Sequence, residues 1–109
     1  ADLFRANLRY ANLRYVKLTE ANLTEADLTN SNLIGSNLSR ATLTEADLSC
    51  TDLFRANLSY ANLRYANLRY VNLTDADLTD SNMAGADLSG SNITGANLSS
   101  ANLSGATLP

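Results

Sequence analysis

The side chains that could carry chemistry in this sequence are few and of limited kinds. The chain has no His and no Trp, and Lys17 and Cys50 are the only residues of their types. Acid–base catalysis, nucleophilic catalysis and zinc binding depend mainly on these residue types. Cys50 lies between Asp47 and Asp52, whose negative charges disfavour a reactive thiolate. The sequence therefore predicts a protein that is not an enzyme, needs no cofactor and has no metal site.

Four acidic side chains form the densest charge feature of the sequence. Glu25 and Asp27 are followed twenty residues later by Glu45 and Asp47. Oxygen ligands of this kind suit a weak site for a hard cation, and a row of carboxylates can also imitate the phosphates of DNA. A hydrated acidic corner that Arg5 partly neutralises is the simpler interpretation.

Arg-Tyr dipeptides are the second feature that could bind a partner, and they occur at residues 9–10, 14–15, 64–65 and 69–70. Tyr and Arg are enriched at the hot spots of protein interfaces, and the same side chains can stack on single-stranded nucleic acid. The formal net charge of −3 argues against direct binding of nucleic acid. The candidate partner-binding residues are Glu25, Asp27, Glu45, Asp47, Arg64, Tyr65, Arg69 and Tyr70.

A period of five residues runs through the whole chain and must position these side chains. In blocks counted from Ala1, the third residue is Leu in 20 of 22 cases, with Met83 and Ile93 as the exceptions. The first residue is Ala in 15 blocks and otherwise Ser, Val or Thr, and the second is Asn or Asp in 19 blocks. Each block therefore has a small apolar position, a large apolar position and a short polar position between them.

A stride of five residues excludes the two simple elements. On an α-helix it rotates each Leu by about 140°, which spreads the Leu side chains around the whole helix. On a flat strand an odd stride sends successive Leu side chains to opposite faces. The chain must instead turn once in each block, with the first and third residues inward, and so form a solenoid.

The uninterrupted A(D/N)LXX pattern resembles the pentapeptide repeat proteins over the entire chain. That resemblance implies an all-β fold, a right-handed quadrilateral parallel β-helix in which four blocks make one square coil. The 22 blocks would form 5.5 coils, and the rod would be about 26 Å long. We expect one domain, residues 1–109, with stacked Asn side chains that form ladders between coils. The expected stacked core residues are Leu23, Leu43, Leu63, Met83 and Leu103.

Residues twenty apart should lie one above the other in such a coil, at about 5 Å. The expected surface pairs are Arg5 with Glu25, Glu20 with Arg40, Arg40 with Tyr60, and Arg55 with Asp75. Ion pairs are expected for the oppositely charged pairs and a cation–π contact for Arg40 with Tyr60. Residues 2–8 recur at 52–58, an offset that is not a multiple of twenty. We therefore expect no repeated binding site on one face.

The favoured function is a non-enzymatic structural or protein-interaction module whose exterior binds an unknown protein partner, and the resemblance suggests a cyanobacterial setting. The alternative comes from the resemblance alone, because some pentapeptide repeat proteins mimic DNA and bind DNA gyrase. Those proteins are longer and more acidic along one side, and loops interrupt their repeat. This chain has interspersed basic residues and no such loop, so the module is favoured.

The sequence also suggests an assembly state and a compartment. The repeat starts at Ala1 and runs to Leu108, with no amphipathic helix or charged segment visible at either end of the sequence, and uncapped solenoid ends tend to associate. We therefore expect a homodimer through residues 97–108. No apolar run is long enough to span a bilayer, the first residues do not resemble a signal peptide, and a lone Cys fits the cytoplasm.

Overall fold

A computed structural model describes residues 1–109, and it contains no helix and no strand longer than a single bridged residue. Eighteen parallel bridges join the second residue of a block to the residue twenty positions later, from Asp2 with Asn22 to Asp87 with Thr107. Four blocks therefore complete one coil. The chain forms the right-handed quadrilateral parallel β-helix that the sequence predicted.

Every complete block ends in the same tight turn. The N–H of the residue that opens the next block donates to the carbonyl of the third residue, as from Ala6 to Leu3 at 3.0 Å. The fifth residue has a positive φ in all 21 complete blocks, and it is Gly in only five of them. A non-Gly residue in this conformation costs about 1 to 2 kcal/mol. The hydrogen bonds of the coil therefore hold Tyr, Arg and Glu in a conformation that usually favours Gly.

Hydrogen bonds between coils satisfy the backbone without long strands. The N–H groups of the third and fifth residues donate to the next coil, as from Leu23 to Thr42 at 2.7 Å and from Glu25 to Thr44 at 3.0 Å. The N–H of the second residue donates to the preceding coil. This pattern recurs along the rod, so buried peptide groups find partners on all four faces.

The Asn and Asp side chains at the second position fold the turn and do not form the expected ladders. In all 19 of these blocks, Oδ1 accepts a hydrogen bond from the N–H of the fourth residue, at 2.9–3.4 Å. Side chains bond from coil to coil only in Asn22 with Asp2 and Asn72 with Asp52. The ladder expectation is wrong because the backbone donor two residues ahead captures the side-chain oxygen.

One apolar core runs along the axis of the rod. Its 25 buried residues form a single cluster, and the molecule measures 27 × 21 × 20 Å, which agrees with the expected rod length. Leu23, Leu43, Leu63 and Met83 are fully buried, as expected. Leu103 is only partly buried, because no coil of the chain stacks above it. The structure contains no helix with the length and apolar character needed to cross a membrane.

Candidate functional site

The corners of the square coil carry the side chains that differ most between blocks. The fourth and fifth residues of each block form the corner, and residues twenty apart stack into columns. The large exposed apolar side chains are Phe4, the five Tyr and Leu108, with exposures of 50–70%. All of these except Leu108 lie at corners, so the corner columns are the surface that a partner would meet.

Side chains at the fifth position lean toward the next coil, and this confirms two of the expected pairs. Arg5 Nε lies 3.7 Å from Glu25 Oε2. The guanidinium of Arg40 lies 4.7 Å from the centroid of the Tyr60 ring. Both contacts join residues of adjacent coils at the spacing that the sequence indicated.

The other two expected ion pairs do not form. Arg40 stacks on Tyr60 and makes no ion pair with Glu20. Arg55 lies over the ring of Phe54 at 5.3 Å and makes no ion pair with Asp75. In both cases the guanidinium lies on an aromatic ring, which is less hydrated than a carboxylate.

Three Tyr rings lie directly on glycines of the next coil. The pairs are Tyr15 with Gly35, Tyr65 with Gly85 and Tyr70 with Gly90. Ring carbons lie only 2.6–2.7 Å from the position that a Cβ would take on each glycine. Since other blocks make the same turn without Gly, these glycines leave room for the ring as well as easing the turn. The spacing of Tyr and Gly by twenty residues is visible in the sequence.

The four acidic candidate residues lie at one corner but do not converge on a shared point. Glu25 and Glu45 follow one another in a corner column, and Asp27 and Asp47 are bridge partners on the adjacent face. No group of three acidic, His or Cys side chains that could hold a metal ion is present.

Two Arg-Asp ion pairs with a spacing of eighteen residues were not expected from the sequence. Arg9 Nε lies 3.8 Å from Asp27 Oδ2, and Arg69 Nε lies 3.9 Å from Asp87 Oδ2. Each Arg is the fourth residue of its block, and each Asp is the second residue of a block one coil later. The pairs predicted from the sequence all have a spacing of twenty residues, which does not include this diagonal contact.

The pKa values of these two aspartates are lowered. Burial raises the pKa of Asp27, but hydrogen bonds from Thr29 and the charge of Arg9 together outweigh it. The pKa of Asp87 is lowered chiefly by the hydroxyl and backbone N–H of Ser89. The turn hydrogen bonds therefore stabilise the charged form of both carboxylates.

The four basic and aromatic candidate residues occupy two consecutive corners of one coil, and we call them the Arg-Tyr belt. Arg64 lies over the ring of Tyr65 at 5.5 Å, and Arg69 over the ring of Tyr70 at 5.6 Å. The two Tyr side chains are 58% and 60% exposed. The belt lies directly above the acidic candidates, so all eight residues share one side of the rod.

One corner column carries two Arg-Tyr dipeptides. Residues 9–10 and 69–70 lie three coils apart, about 14 Å at about 4.8 Å per coil. This offset of sixty residues is a multiple of twenty, unlike the offset of fifty between residues 2–8 and 52–58. Asn30 and Cys50 lie between the two dipeptides in the same column.

A cavity of about 250 Å³ opens in this column, and we call it the Cys50 groove. Its lining residues are Ser49, Cys50, Asn67, Arg69 and Tyr70. Tyr70 leans away from the groove toward Gly90 of the next coil. The short side chain of Cys50 leaves the space below Tyr70 unfilled.

Comparison with known proteins yields one family. The family model described as pentapeptide repeats matches residues 1–40, 21–59, 36–75, 56–95 and 72–108. No curated protein matches the chain.

Several solved structures are similar to this one. A pentapeptide repeat protein from the cyanobacterium Cyanothece 51142 is 40% identical over 86% of this chain and 65% of its own, with a TM-score of 0.84. One from Nostoc PCC 7120 is 44% identical over 71% of this chain and 64% of its own, with a TM-score of 0.70. One from the Arabidopsis thaliana thylakoid lumen is 35% identical over 82% of this chain and 66% of its own, with a TM-score of 0.73. This chain spans just under two thirds of the length of each.

Proposed function

This chain belongs to the pentapeptide repeat family, and we propose that it is a non-enzymatic module whose exterior binds a protein partner. The observation that carries the proposal is the exposure of the corner Tyr rings, from 53% to 70%. The coil does not need them, because Glu, Asp, Cys or Ser makes the same turn elsewhere. Exposed Tyr beside Arg is the composition of interface hot spots.

We propose that the partner meets one continuous surface made of the acidic residues and the Arg-Tyr belt. Glu25 and Glu45 lie in the corner column beneath Tyr65, and Asp47 lies beneath Asn67 beside that column. The carboxylates therefore lie in two consecutive coils, and the guanidinium groups and rings of the belt lie in the third. Such mixed charge favours a protein surface with complementary charges over a polyanion such as DNA.

The test is partner capture from the native cell with a matched pair of variants. Replacing Arg64, Tyr65, Arg69 and Tyr70 by Ser removes the belt, and Ser100 provides a precedent for Ser in the strained turn position. Replacing Arg14 and Tyr15 by Ser removes a dipeptide on another side. We expect the wild type and the control to retain the same partner and the belt variant to lose it. Retention by the belt variant would assign the interaction to another surface.

The distribution of charge gives no support to the gyrase-binding alternative. In the register of the coil, three faces carry a net charge of −1 each and the fourth is neutral. A DNA mimic needs a continuous acidic side. We expect no inhibition of gyrase supercoiling by this protein at equimolar concentration, and inhibition that is lost when Glu25, Asp27, Glu45 and Asp47 become amides would reverse this ranking.

The homodimer through residues 97–108, the lack of enzymatic activity and the cytoplasmic compartment stay predictions. Sedimentation of this chain at micromolar concentration tests the first, since a species near 11.7 kDa is the monomer. A similar protein comes from the thylakoid lumen, so the compartment needs its own measurement in the native cell.

A further inference from the structure

Resting on the proposed function, we infer that the Cys50 groove receives a basic side chain of the partner protein, and that an arginine guanidinium fits it best. The inference names the chemistry of one contact within the proposed surface. It depends on the charge of Asp47, on the shape of the groove and on two kinds of contact elsewhere in this chain. These are the Arg-Asp ion pairs and the stacking of Arg40 on Tyr60.

Asp47, whose carboxylate accepts hydrogen bonds from the groove-lining Ser49, has no cation of its own. Asp27 below it and Asp87 above it are each paired with the Arg that lies eighteen residues earlier in the chain. The corresponding residue for Asp47 is Thr29. Asp47 Oδ1 accepts hydrogen bonds from Ser49, at 3.0 Å from N and 2.7 Å from Oγ, which leaves Oδ2 free for a partner.

Other nearby charges do not cancel this one. Arg69 lines the groove, but it pairs with Asp87 at 3.9 Å and lies against the ring of Tyr70. Glu45 lies two residues before Asp47 and makes no ion pair. A cation in the groove would therefore be attracted to the uncompensated carboxylate of Asp47 next to Ser49.

The shape of the groove corresponds to a missing arginine side chain. Tyr60 and Tyr70 are both fifth residues of their blocks, and the residue one coil below each is Arg40 or Cys50. Arg40 places its guanidinium 4.7 Å from the ring centroid of Tyr60. Below Tyr70 the short side chain of Cys50 ends at Sγ, and the groove opens where a longer side chain such as that of Arg40 would lie. A guanidinium from outside could lie under Tyr70 as Arg40 lies under Tyr60.

Arginine suits this site better than lysine for two physical reasons. Its planar guanidinium stacks on an aromatic ring and is weakly hydrated, whereas the ammonium of lysine is compact and strongly hydrated. It can also donate to a carboxylate and to a neighbouring polar group at once, here Asp47 and the side chain of Ser49 or Asn67. One side chain bound at an exposed groove gives an affinity of about millimolar.

The experiment is an NMR titration of the 109-residue protein, labelled with nitrogen-15, with the peptide acetyl-Gly-Arg-Gly-amide. We expect saturable shifts at the amides of Ser49, Cys50 and Tyr70, weaker binding of the lysine peptide, and no binding of the citrulline peptide, which is neutral and of the same shape. Equal binding of the arginine and citrulline peptides would overturn the inference, and so would shifts confined to other corners.

Two variants and one matched control locate the site. Asp47→Asn should weaken binding about threefold or more, whereas Asp77→Asn should leave it unchanged. Asp77 is the matched control because it occupies the same block position on another face, bonds the N–H of Thr79 and has no ion pair. Cys50→Arg should abolish binding by filling the groove, and Arg40 already adopts the φ of 59° found at Cys50. Unchanged binding by Asp47→Asn and Cys50→Arg would refute the site.

The outcome is separable from the test of the proposed function. If the wild type retains its partner in capture but does not bind the arginine peptide, the inference fails and the proposed function stands. If the peptide binds as expected but the belt variant still retains the partner, the groove recognises arginine and the belt is not the surface used by that partner.

Discussion

Residues 61–80 and 81–100 form consecutive coils with the same backbone and opposite exteriors. Both have the same turn hydrogen bonds and the same positive φ at every fifth residue. The corners of residues 61–80 carry Arg, Tyr, Thr and Asp, whereas those of residues 81–100 carry only Ala, Ser, Thr and Gly. The interior and turns that define the fold therefore leave the corner residues free to vary.

The plain exterior of residues 81–100 is partly a consequence of the coil below. Tyr65 and Tyr70 lean onto Gly85 and Gly90, and the carboxylate of Asp75 contacts the position that a Cβ would take on Gly95. A long side chain at one corner thus favours a residue without a side chain one coil later. The corners of adjacent coils are coupled even though their interiors are interchangeable.

The largest expected effect tests the shared interior of the two coils. Leu68 is fully buried and Leu98 is partly buried. Leu68→Lys should prevent folding, because a buried unpaired charge costs more than the few kcal/mol of stability that a small domain has. Leu98→Lys should fold with a lower Tm, since its ammonium can reach water. Circular dichroism with thermal melting distinguishes the two, and cooperative melting of both near the wild-type Tm would contradict the assigned interior.

The fold could be predicted from the sequence because one constraint recurs in every block. A large apolar residue at each third position and a small residue at each first position exclude a helix and a flat strand. The resemblance to the pentapeptide repeat proteins then implies the twenty-residue coil, which sets the pairs Arg5 with Glu25 and Arg40 with Tyr60. These features depend on the backbone path, which the period and the resemblance together indicate.

Features that depend on the direction of individual side chains could not be predicted in this way. The Asn and Asp side chains turn back to their own backbone, Arg9 reaches diagonally to Asp27, and the Cys50 groove exists because Tyr70 leans away. Local hydrogen bonds compete with contacts between coils, and rotamers decide the outcome. A period in the sequence indicates the position of a residue in the coil but not the direction of its side chain.

A smaller effect tests the coupling between the two exteriors. Gly85 and Gly105 both have a positive φ, near 70°, but only Gly85 has a Tyr ring packed against it. Gly105→Ala should cost about 1 kcal/mol through backbone conformation. Gly85→Ala should cost about 2 kcal/mol, because the Tyr65 ring must also move. Urea denaturation of both variants gives the difference.

The double variant Tyr65→Ser with Gly85→Ala identifies the cause. If the ring causes the extra cost, removing the ring should return the cost of Gly85→Ala to that of Gly105→Ala, and the double-mutant cycle gives the coupling energy. Equal costs for the two single variants would mean that the glycine serves the turn alone.

A still smaller effect tests whether the ion pair missing at Asp47 can be supplied by the chain. Thr29→Arg places an Arg eighteen residues before Asp47, as Arg9 precedes Asp27. We expect a gain of about 0.5 kcal/mol in the free energy of unfolding at low salt, which added salt should reduce. Thr79→Arg is the control, because the residue eighteen positions later is the neutral Asn97. Equal gains in both variants would mean that Asp47 is not the partner.

The smallest effect concerns the ion pair that joins the two compared coils, Arg69 with Asp87. The pKa of Asp87 is lowered in the folded protein, mainly by hydrogen bonds from Ser89. A carboxyl group with a lowered pKa contributes stability above its unfolded pKa of about 3.9, and this contribution is lost as the pH falls through the folded value. The Tm of the wild type should therefore decrease as the pH is lowered below about 4, and the Tm of Asp87→Asn should decrease less steeply. Asn keeps the turn hydrogen bond at this block position elsewhere, as in Asn67 with Arg69, so the variant isolates the charge. Parallel melting curves for the two proteins from pH 6 to pH 2 would mean that the charge of Asp87 does not stabilise the contact between these coils.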